Sequence, residues 1–96
     1  MNEKQTIVDK LKPFFAQLQE LQQQAFLVYT PNVESIINDK VTDDNTIQRL
    51  LDGMLDFCGH NNMLLLYKKL CRYYWEINPE ATAIYINFYR EMWDNE

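Results

Sequence analysis

The sequence contains few residues that break regular structure. Its 96 residues include two glycines and three prolines, and this scarcity argues against a disordered chain and against a turn-rich β sandwich. Apolar residues make up 47% of the chain, and a chain of this length forms one core rather than several. The composition predicts a single helical domain over residues 1–96, with residues 1–5 as a frayed N-terminal tail.

Long apolar segments are also missing. The chain has no run of eighteen apolar residues, and its first ten residues, MNEKQTIVDK, lack the apolar stretch of a signal peptide. A small secreted domain usually carries more cysteines than the two found here, so Cys58 and Cys71 are interpreted as buried thiols. We therefore expect a cytoplasmic protein that does not enter a membrane.

Residues that support catalysis or bind metals are scarce. His60 is the only histidine, so any Ser/His/Asp or Cys/His arrangement would have to use it. Its neighbour Cys58 falls on an apolar stripe, and together with Cys71 these residues lack the paired spacing of structural zinc ligands. The sequence contains neither a Gly-rich phosphate loop nor a nucleophile elbow. We expect no enzymatic activity, no catalytic residues, no metal and no cofactor.

Positive charge is in short supply as well. Fourteen acidic residues against nine Lys and Arg give a net charge of −5. Because an acidic chain repels polyanions, nucleic acids and anionic membranes are disfavoured partners. The carboxylate pairs Asp43–Asp44 and Asp52–Asp56 are interpreted as solvated surface, since no Glu-x-x-His motif accompanies them. They also leave open one further hypothesis, an acidic inhibitor that imitates a nucleic acid.

Apolar periodicity predicts a long first helix. Between residues 7 and 28, apolar positions recur with alternating spacings of four and three. We call this set the N-terminal seam: Ile7, Leu11, Phe14, Leu18, Leu21, Ala25 and Val28. The seam predicts a helix over residues 6–28, capped by Thr6 and kinked at Pro13, which lacks a backbone donor.

Two further helices are predicted in the middle of the chain. Thr30 followed by Pro31 is a typical helix start and predicts a second helix over residues 31–40. A third helix over residues 45–58 is predicted from an apolar stripe, which consists of Ile47, Leu50, Leu51, Met54, Leu55 and Cys58.

Both glycines lie near the end of the third helix. Gly53 is off the apolar stripe, and its expected role is to let another helix approach closely. Gly59 is expected in the left-handed conformation that ends a helix, with Asn61 or Asn62 capping the next one.

The last third of the chain predicts two more helices, over residues 62–77 and 79–94. Asn78 followed by Pro79 separates them by the same pattern of cap and proline. All connections are short, as in helical bundles. The predicted fold is therefore an all-α, single-domain bundle of about five helices.

The fourth predicted helix carries a run in which cations alternate with aromatic residues, YKKLCRYYWEINPE at residues 67–80. At about 100° per residue, Tyr67 and Tyr74 fall on an apolar arc wide enough for the central helix of the bundle. The opposite arc holds Leu65, Glu76 and three cations, Lys68, Lys69 and Arg72. These cations are interpreted as a solvated face, and a phosphate-contacting strip is the alternative.

The fifth predicted helix has more apolar surface than one buried face needs. Beside its central stripe runs a second line, Ile86, Tyr89 and Trp93. This line either packs beneath the first helix or forms a partner surface, because exposed aromatic patches mark interfaces. Trp75 lies at the edge of the apolar arc of the fourth helix, where it is either the rim of the core or an exposed anchor for a partner.

These features favour a small, non-enzymatic protein–protein interaction module that forms a homodimer, through the N-terminal seam or the Ile86, Tyr89, Trp93 line. The alternative is a nucleic-acid-associated regulator. It would use either the strip of Lys68, Lys69 and Arg72 or a helix-turn-helix at residues 31–58. The second form is disfavoured because its recognition helix would present Asp43 and Asp44 to phosphates.

Overall fold

Four α-helices make up the described part of the chain. A computed structural model describes the backbone of residues 3–93 and the side chains of residues 9–93. The helices are α1 (Glu3–Asn38), α2 (Asp44–Leu55), α3 (Asn61–Trp75) and α4 (Pro79–Trp93). The predicted all-α class is confirmed, with no strand among residues 3–93. The predicted number of five helices is wrong.

The difference arises at Pro31, where the first and second predicted helices form one continuous helix. Pro31 has no N–H to offer the carbonyl of Leu27. Side chains on either side of it support the neighbouring turn. Thr30 Oγ1 donates to the carbonyl of Phe26 at 2.6 Å, and Asn32 Nδ2 donates to that of Val28 at 3.2 Å. Thr30 is therefore a mid-helix residue that bonds backwards, and not the predicted cap.

The beginning of α1 also differs from the prediction. The helix begins at Glu3, so Thr6 lies within it, and residues 3–5 of the predicted tail are helical. The side chain of Thr6 lies outside the described residues. The helix continues through Pro13, as the unbroken N-terminal seam predicts.

The end of α1 depends on Lys40, which adopts a positive φ of 54°. The amide of Val41 donates to the carbonyl of Ile36 at 3.0 Å, and that of Lys40 to Ile37 at 3.3 Å. This pair of bonds is the Schellman motif, in which the left-handed residue is usually glycine. Ile36 and Val41, which such motifs commonly bring together, both belong to the apolar core and its border.

The start of α2 is fixed by Asp43. Its carboxylate accepts from the Thr46 amide at 3.0 Å and from the Thr46 hydroxyl at 2.6 Å. These bonds hold the pKa of Asp43 below its ordinary value. The predicted apolar stripe of α2 is confirmed, because all of its members are buried except Leu50, which is half-buried.

The two glycines serve packing rather than backbone conformation. A Cβ at Gly53 would collide with the Tyr29 hydroxyl of α1, so the predicted close approach of another helix is confirmed. Gly59 was expected to be left-handed, but neither glycine has a positive φ. Its Cβ would instead meet the Trp93 ring at 2.8 Å.

The starts of α3 and α4 differ in how well the sequence predicts them. His60 occupies the cap position of α3 without a capping side-chain bond, so the expected caps Asn61 and Asn62 are wrong. Asn78 caps α4 as predicted, since its Oδ1 accepts from the amide of Ala81 at 3.1 Å.

α3 is the central helix, as its wide apolar arc predicts, and it contacts the other three helices. Its buried side chains are Met63, Leu66, Tyr67, Leu70, Cys71 and Tyr74. Buried tyrosine hydroxyls on α3 bond to its neighbours: Tyr67 donates to the carbonyl of Tyr85 at 2.8 Å, and Tyr74 to the carboxylate of Asp44. The core is thus closed by apolar contacts and by directional bonds between helices.

The Schellman turn predicts that Lys40→Gly stabilises the protein. A non-glycine residue costs roughly 1–2 kcal/mol in the left-handed region, and the extra freedom of glycine in the unfolded chain offsets part of that gain. We expect the free energy of unfolding in urea, at one protein concentration, to rise by about 0.5–1 kcal/mol. Lys40→Ala keeps the Cβ and should show no such gain, so equal stability of the two variants would contradict this account.

Candidate interaction surfaces

The N-terminal part of α1 extends beyond the rest of the molecule. Every residue from 9 to 21 is exposed, and we call this segment the α1 arm. The chain measures 57 Å along its longest axis, close to the ~54 Å expected for a 36-residue helix at 1.5 Å per residue. The length of α1 therefore sets the length of the molecule.

The α1 arm is apolar on one side, although no residue of the described part of the chain covers that side. Its five large apolar side chains are between 40% and 62% exposed: Leu11, Phe14, Phe15, Leu18 and Leu21. Phe15 precedes the fully buried Val33 by eighteen residues, which is five complete turns, so both point to the same side. Phe15 thus continues the core-facing side of α1 past the end of the core, whereas the seam residues of the arm centre on a neighbouring side.

The N-terminal seam is uncovered along nearly its whole described length. Its member Ala25 is half-buried, whereas Val28 is 60% exposed even where α1 lies on the core. The residues of α1 that pack on the core lie on a neighbouring side: Phe26, Tyr29, Val33, Ile36 and Ile37. Ile7, the first member of the seam, is outside the residues whose side chains are described.

A second surface is a groove of about 610 Å³ between α3 and α4, which we call the α3–α4 groove. It is lined by three of the four residues predicted as a partner surface, Trp75, Ile86 and Tyr89. Trp75 is 49% exposed and Ile86 is 38% exposed. Trp75 is therefore a half-exposed wall of a groove and not simply the rim of the core.

Cations surround this groove. Lys68, Arg72 and Arg90 line it together with one acidic residue, Glu76. No ion pair involves any of the four within residues 9–93. Lys69, the remaining member of the predicted phosphate-contacting strip, is exposed on α3 but does not line the groove. The structure therefore divides that strip between two locations.

The floor of the α3–α4 groove is held rigidly. Tyr67 lies there, bonded to the backbone of α4, and its ring is 6.3 Å from that of Tyr89. Burial raises the pKa of Tyr67 well above its ordinary value, so the hydroxyl stays protonated as a donor. Cys71 lies beside it, and burial raises the pKa of its thiol to about 12.

Trp93, the fourth predicted partner residue, lies elsewhere. Its Nε1 donates to the carbonyl of Leu55 at 2.8 Å, and its ring contacts the position of Gly59. The side chain is still 42% exposed. The prediction that the line of Ile86, Tyr89 and Trp93 packs beneath the first helix is wrong. Within residues 3–93, α4 contacts α2 and α3 but not α1.

The residues considered for catalysis do not form a thiol–imidazole couple. The Cys58 thiol donates to the carbonyl of Met54 at 3.4 Å, and burial raises its pKa to about 12. His60 Nδ1 is buried and has no hydrogen-bond partner among the described residues. Within the part of the chain that the structure describes, no group of His, Cys, Asp and Glu is arranged to hold a metal ion.

In the predicted helix-turn-helix, the N-terminal turn of α2 would contact DNA. One of its side chains, Asp44, instead contacts other residues of the chain. Asp44 accepts bonds from the Tyr74 hydroxyl and from Asn78 Nδ2. The bond from Tyr74 is the main reason that the pKa of Asp44 is lowered. Both carboxylates at this turn are therefore charged at neutral pH, which would repel phosphates.

Two residues of these surfaces were missed at the sequence level. Phe15 lies outside the spacing of the N-terminal seam, and only its five-turn separation from Val33 links it to the core-facing side. Arg90 lies outside both apolar lines of the fifth predicted helix, but it follows Ile86 by four residues and so lies beside it on α4.

No protein-family model matches the sequence, and comparison with curated proteins and with solved structures finds no significant similarity. Among the described residues, no helix combines the length and the apolar character needed to cross a membrane.

The contacts of Trp93 predict a loss of stability in Trp93→Phe. The substitution keeps an aromatic ring but removes the donor to Leu55, which leaves that carbonyl without this partner. We expect the free energy of unfolding to fall by about 1 kcal/mol, measured by urea denaturation monitored by circular dichroism. Trp75→Phe is the matched control, because the Trp75 indole makes no hydrogen bond within residues 9–93. An equal loss of stability in this variant would contradict a stabilising role for the bond from Trp93 to Leu55.

The thiols should be inert in the folded protein. A pKa of about 12 in place of an ordinary value near 9 leaves roughly a thousandfold fewer thiolates at pH 8. We expect iodoacetamide at pH 8 to modify Cys58 and Cys71 slowly under native conditions and rapidly in 6 M guanidinium, a difference measurable by mass spectrometry. Rapid modification of the native protein would show that these groups are not buried as described.

Proposed function

We propose that the protein is a non-enzymatic interaction module that forms a homodimer by pairing the α1 arms of two copies along the N-terminal seam. The observation that carries this proposal is the arm itself: thirteen consecutive exposed residues with a continuous apolar side. Free, contiguous apolar surface of this kind marks interaction sites in soluble proteins.

The exposed apolar area of the arm is close to the minimum for a dimer. Aromatic side chains bury roughly 150–250 Å² each, and the arm has two phenylalanines and three smaller leucines, all about half exposed. Each copy therefore offers at most about 500 Å², and two copies bury at most about 1,000 Å², which is the lower limit for a specific interface.

The spacing of the seam suits helix–helix pairing. Alternating steps of three and four are the heptad pattern of coiled coils, with Leu11 and Leu18 at one core position and Phe14 and Leu21 at the other. In this register Pro13 lies on the outer side, away from the contact. The proline therefore does not interrupt the surface that would be buried.

The flanks of the seam are compatible with an identical partner. The positions beside it from residue 10 to residue 24 hold Lys10, Phe15, Gln17, Gln22 and Gln24, of which Lys10 alone is charged. Charges at these positions normally determine partner choice, and like charges would repel an identical helix. Uncharged glutamines impose no such repulsion, which supports a second copy rather than a partner of complementary charge.

The proposal predicts that Leu18→Glu converts the dimer into a monomer. Sedimentation equilibrium should give the wild type twice the 11.6 kDa of one chain and the variant a single-chain mass, because two carboxylates would face each other in the seam. Leu65→Glu is the matched control. Leu65 is 65% exposed on α3 but lies outside the arm and the groove, so this variant should remain dimeric.

Two outcomes would contradict the proposal. One is a wild type that sediments as a single chain at every concentration up to the millimolar range. The other is dissociation of Leu65→Glu while Leu18→Glu stays dimeric. Circular dichroism of Leu18→Glu provides the folding control, because the core formed by the buried residues of α2 and α3 does not include Leu18.

A nucleic-acid-associated regulator remains the alternative function, supported by the exposure of Lys68, Lys69 and Arg72. The net charge of −5 and the two carboxylates at the α2 turn weigh against it. The least supported alternative, an acidic mimic, loses part of its basis because Asp44 is bonded within the chain. The cytoplasm remains the proposed compartment, and the two free thiols support it.

A further inference from the structure

We propose that the α3–α4 groove binds an acidic amphipathic helix of a partner protein, separately from dimerisation by the α1 arms. The groove combines an apolar interior with a cationic border. It therefore selects a segment whose apolar side chains are flanked by carboxylates. This is the helix-in-groove mode of recognition, in which residues spaced by three and four positions act as anchors.

The dimensions of the groove fit a short helix. Its lining extends from Leu64 on α3 to Glu76 at the end of that helix, which at 1.5 Å per residue is about 18 Å. Anchors at positions i, i+4, i+7 and i+11 of a bound helix span about 16 Å. The apolar walls Trp75, Ile86 and Tyr89 are partly exposed along this length and would be covered by such anchors.

The charge of the groove indicates an acidic partner. Three cations and one carboxylate line it, so it is locally positive on a chain whose net charge is −5. Lys68, Arg72 and Arg90 form no ion pair within residues 9–93, and each is therefore available to a partner carboxylate. A second α1 arm does not meet this requirement, because its lysines, Lys10 and Lys12, balance Asp9 and Glu20.

The test uses two synthetic fluorescein-labelled 14-residue helical peptides. Both carry leucine at positions i, i+4, i+7 and i+11; one has glutamate at the flanking positions and the other has lysine. Fluorescence polarisation should show the glutamate peptide binding the full-length protein about tenfold more tightly than the lysine peptide. The preference should weaken as the salt concentration rises.

Adjacent lysines provide a matched pair of variants. Lys68→Glu should weaken binding of the glutamate peptide about fivefold or more, because Lys68 lines the groove. Lys69→Glu makes the same change of charge at the adjacent residue, which does not line the groove. Its affinity for the glutamate peptide should stay within about twofold of the wild-type value. Leu18→Glu should bind the peptide like the wild type, so that a failure of dimerisation and a failure of the groove are distinguishable.

Three results of the peptide measurements would overturn the proposal. They are the absence of binding by the glutamate peptide, equal affinity for both peptides, and equal weakening by Lys68→Glu and Lys69→Glu. Salt-dependent binding of a single-stranded 14-nucleotide DNA that is lost in Lys68→Glu, Lys69→Glu and Arg72→Glu alike would overturn it in favour of a phosphate-contacting strip.

Discussion

The rest of the structure depends on the burial of one side of α1, a helix that is longer than the body on which it packs. Five apolar side chains of α1 between Phe26 and Ile37 lie against the core, whereas Leu27 and Val28 in the same range are exposed. Phe15 continues this side into the α1 arm, and the adjacent apolar side formed by the N-terminal seam is exposed there among the described residues. Exposed leucine and phenylalanine lose the stabilisation that burial would give, about 25 cal/mol for each Å² left in water. The heptad spacing of the seam and the mostly uncharged residues beside it favour a second copy of the arm as the partner that covers this surface.

In the packed part of the chain, buried tyrosines on α3 fix the positions of the neighbouring helices. Tyr67 and Tyr74 are almost completely buried, and their hydroxyls are bonded to α4 and to α2 respectively. A buried hydroxyl without a partner costs free energy, so each bond fixes one position of the neighbouring helix. The α3–α4 groove lies above this contact, because Tyr67 lines the groove and bonds α3 to the backbone of α4.

Much of this fold could be predicted from the sequence because its signals are local. Apolar periodicity and caps place α2, α3 and α4 within a few residues of their observed ends, and Asn78 with Pro79 predicts the start of α4 correctly. The sequence pattern of Thr30 followed by Pro31, by contrast, fits two different local structures. A threonine before a proline caps a new helix or, as here, bonds backwards within an existing one, and the choice depends on whether both sides of the proline bury the same face.

The surfaces are less predictable, because they depend on contacts between helices. Gly59 was expected to have a left-handed backbone, but its role is set by Trp93, more than thirty residues away. Likewise the groove brings Lys68 and Arg72 of α3 together with Arg90 of α4. A helical wheel shows the residues of one helix only, so it does not predict this grouping. The exposure of the N-terminal seam could not be inferred from its periodicity either, since a buried helix and a paired helix share that pattern.

Hydrogen–deuterium exchange as a function of protein concentration tests most directly whether a second copy covers the α1 arm. Amides of residues 9–21 should become more protected as the concentration rises through the dimerisation range, while those of α3 stay equally protected throughout. Protection of the arm that does not change with concentration would contradict the account, as would a concentration-dependent gain confined to α3 and α4.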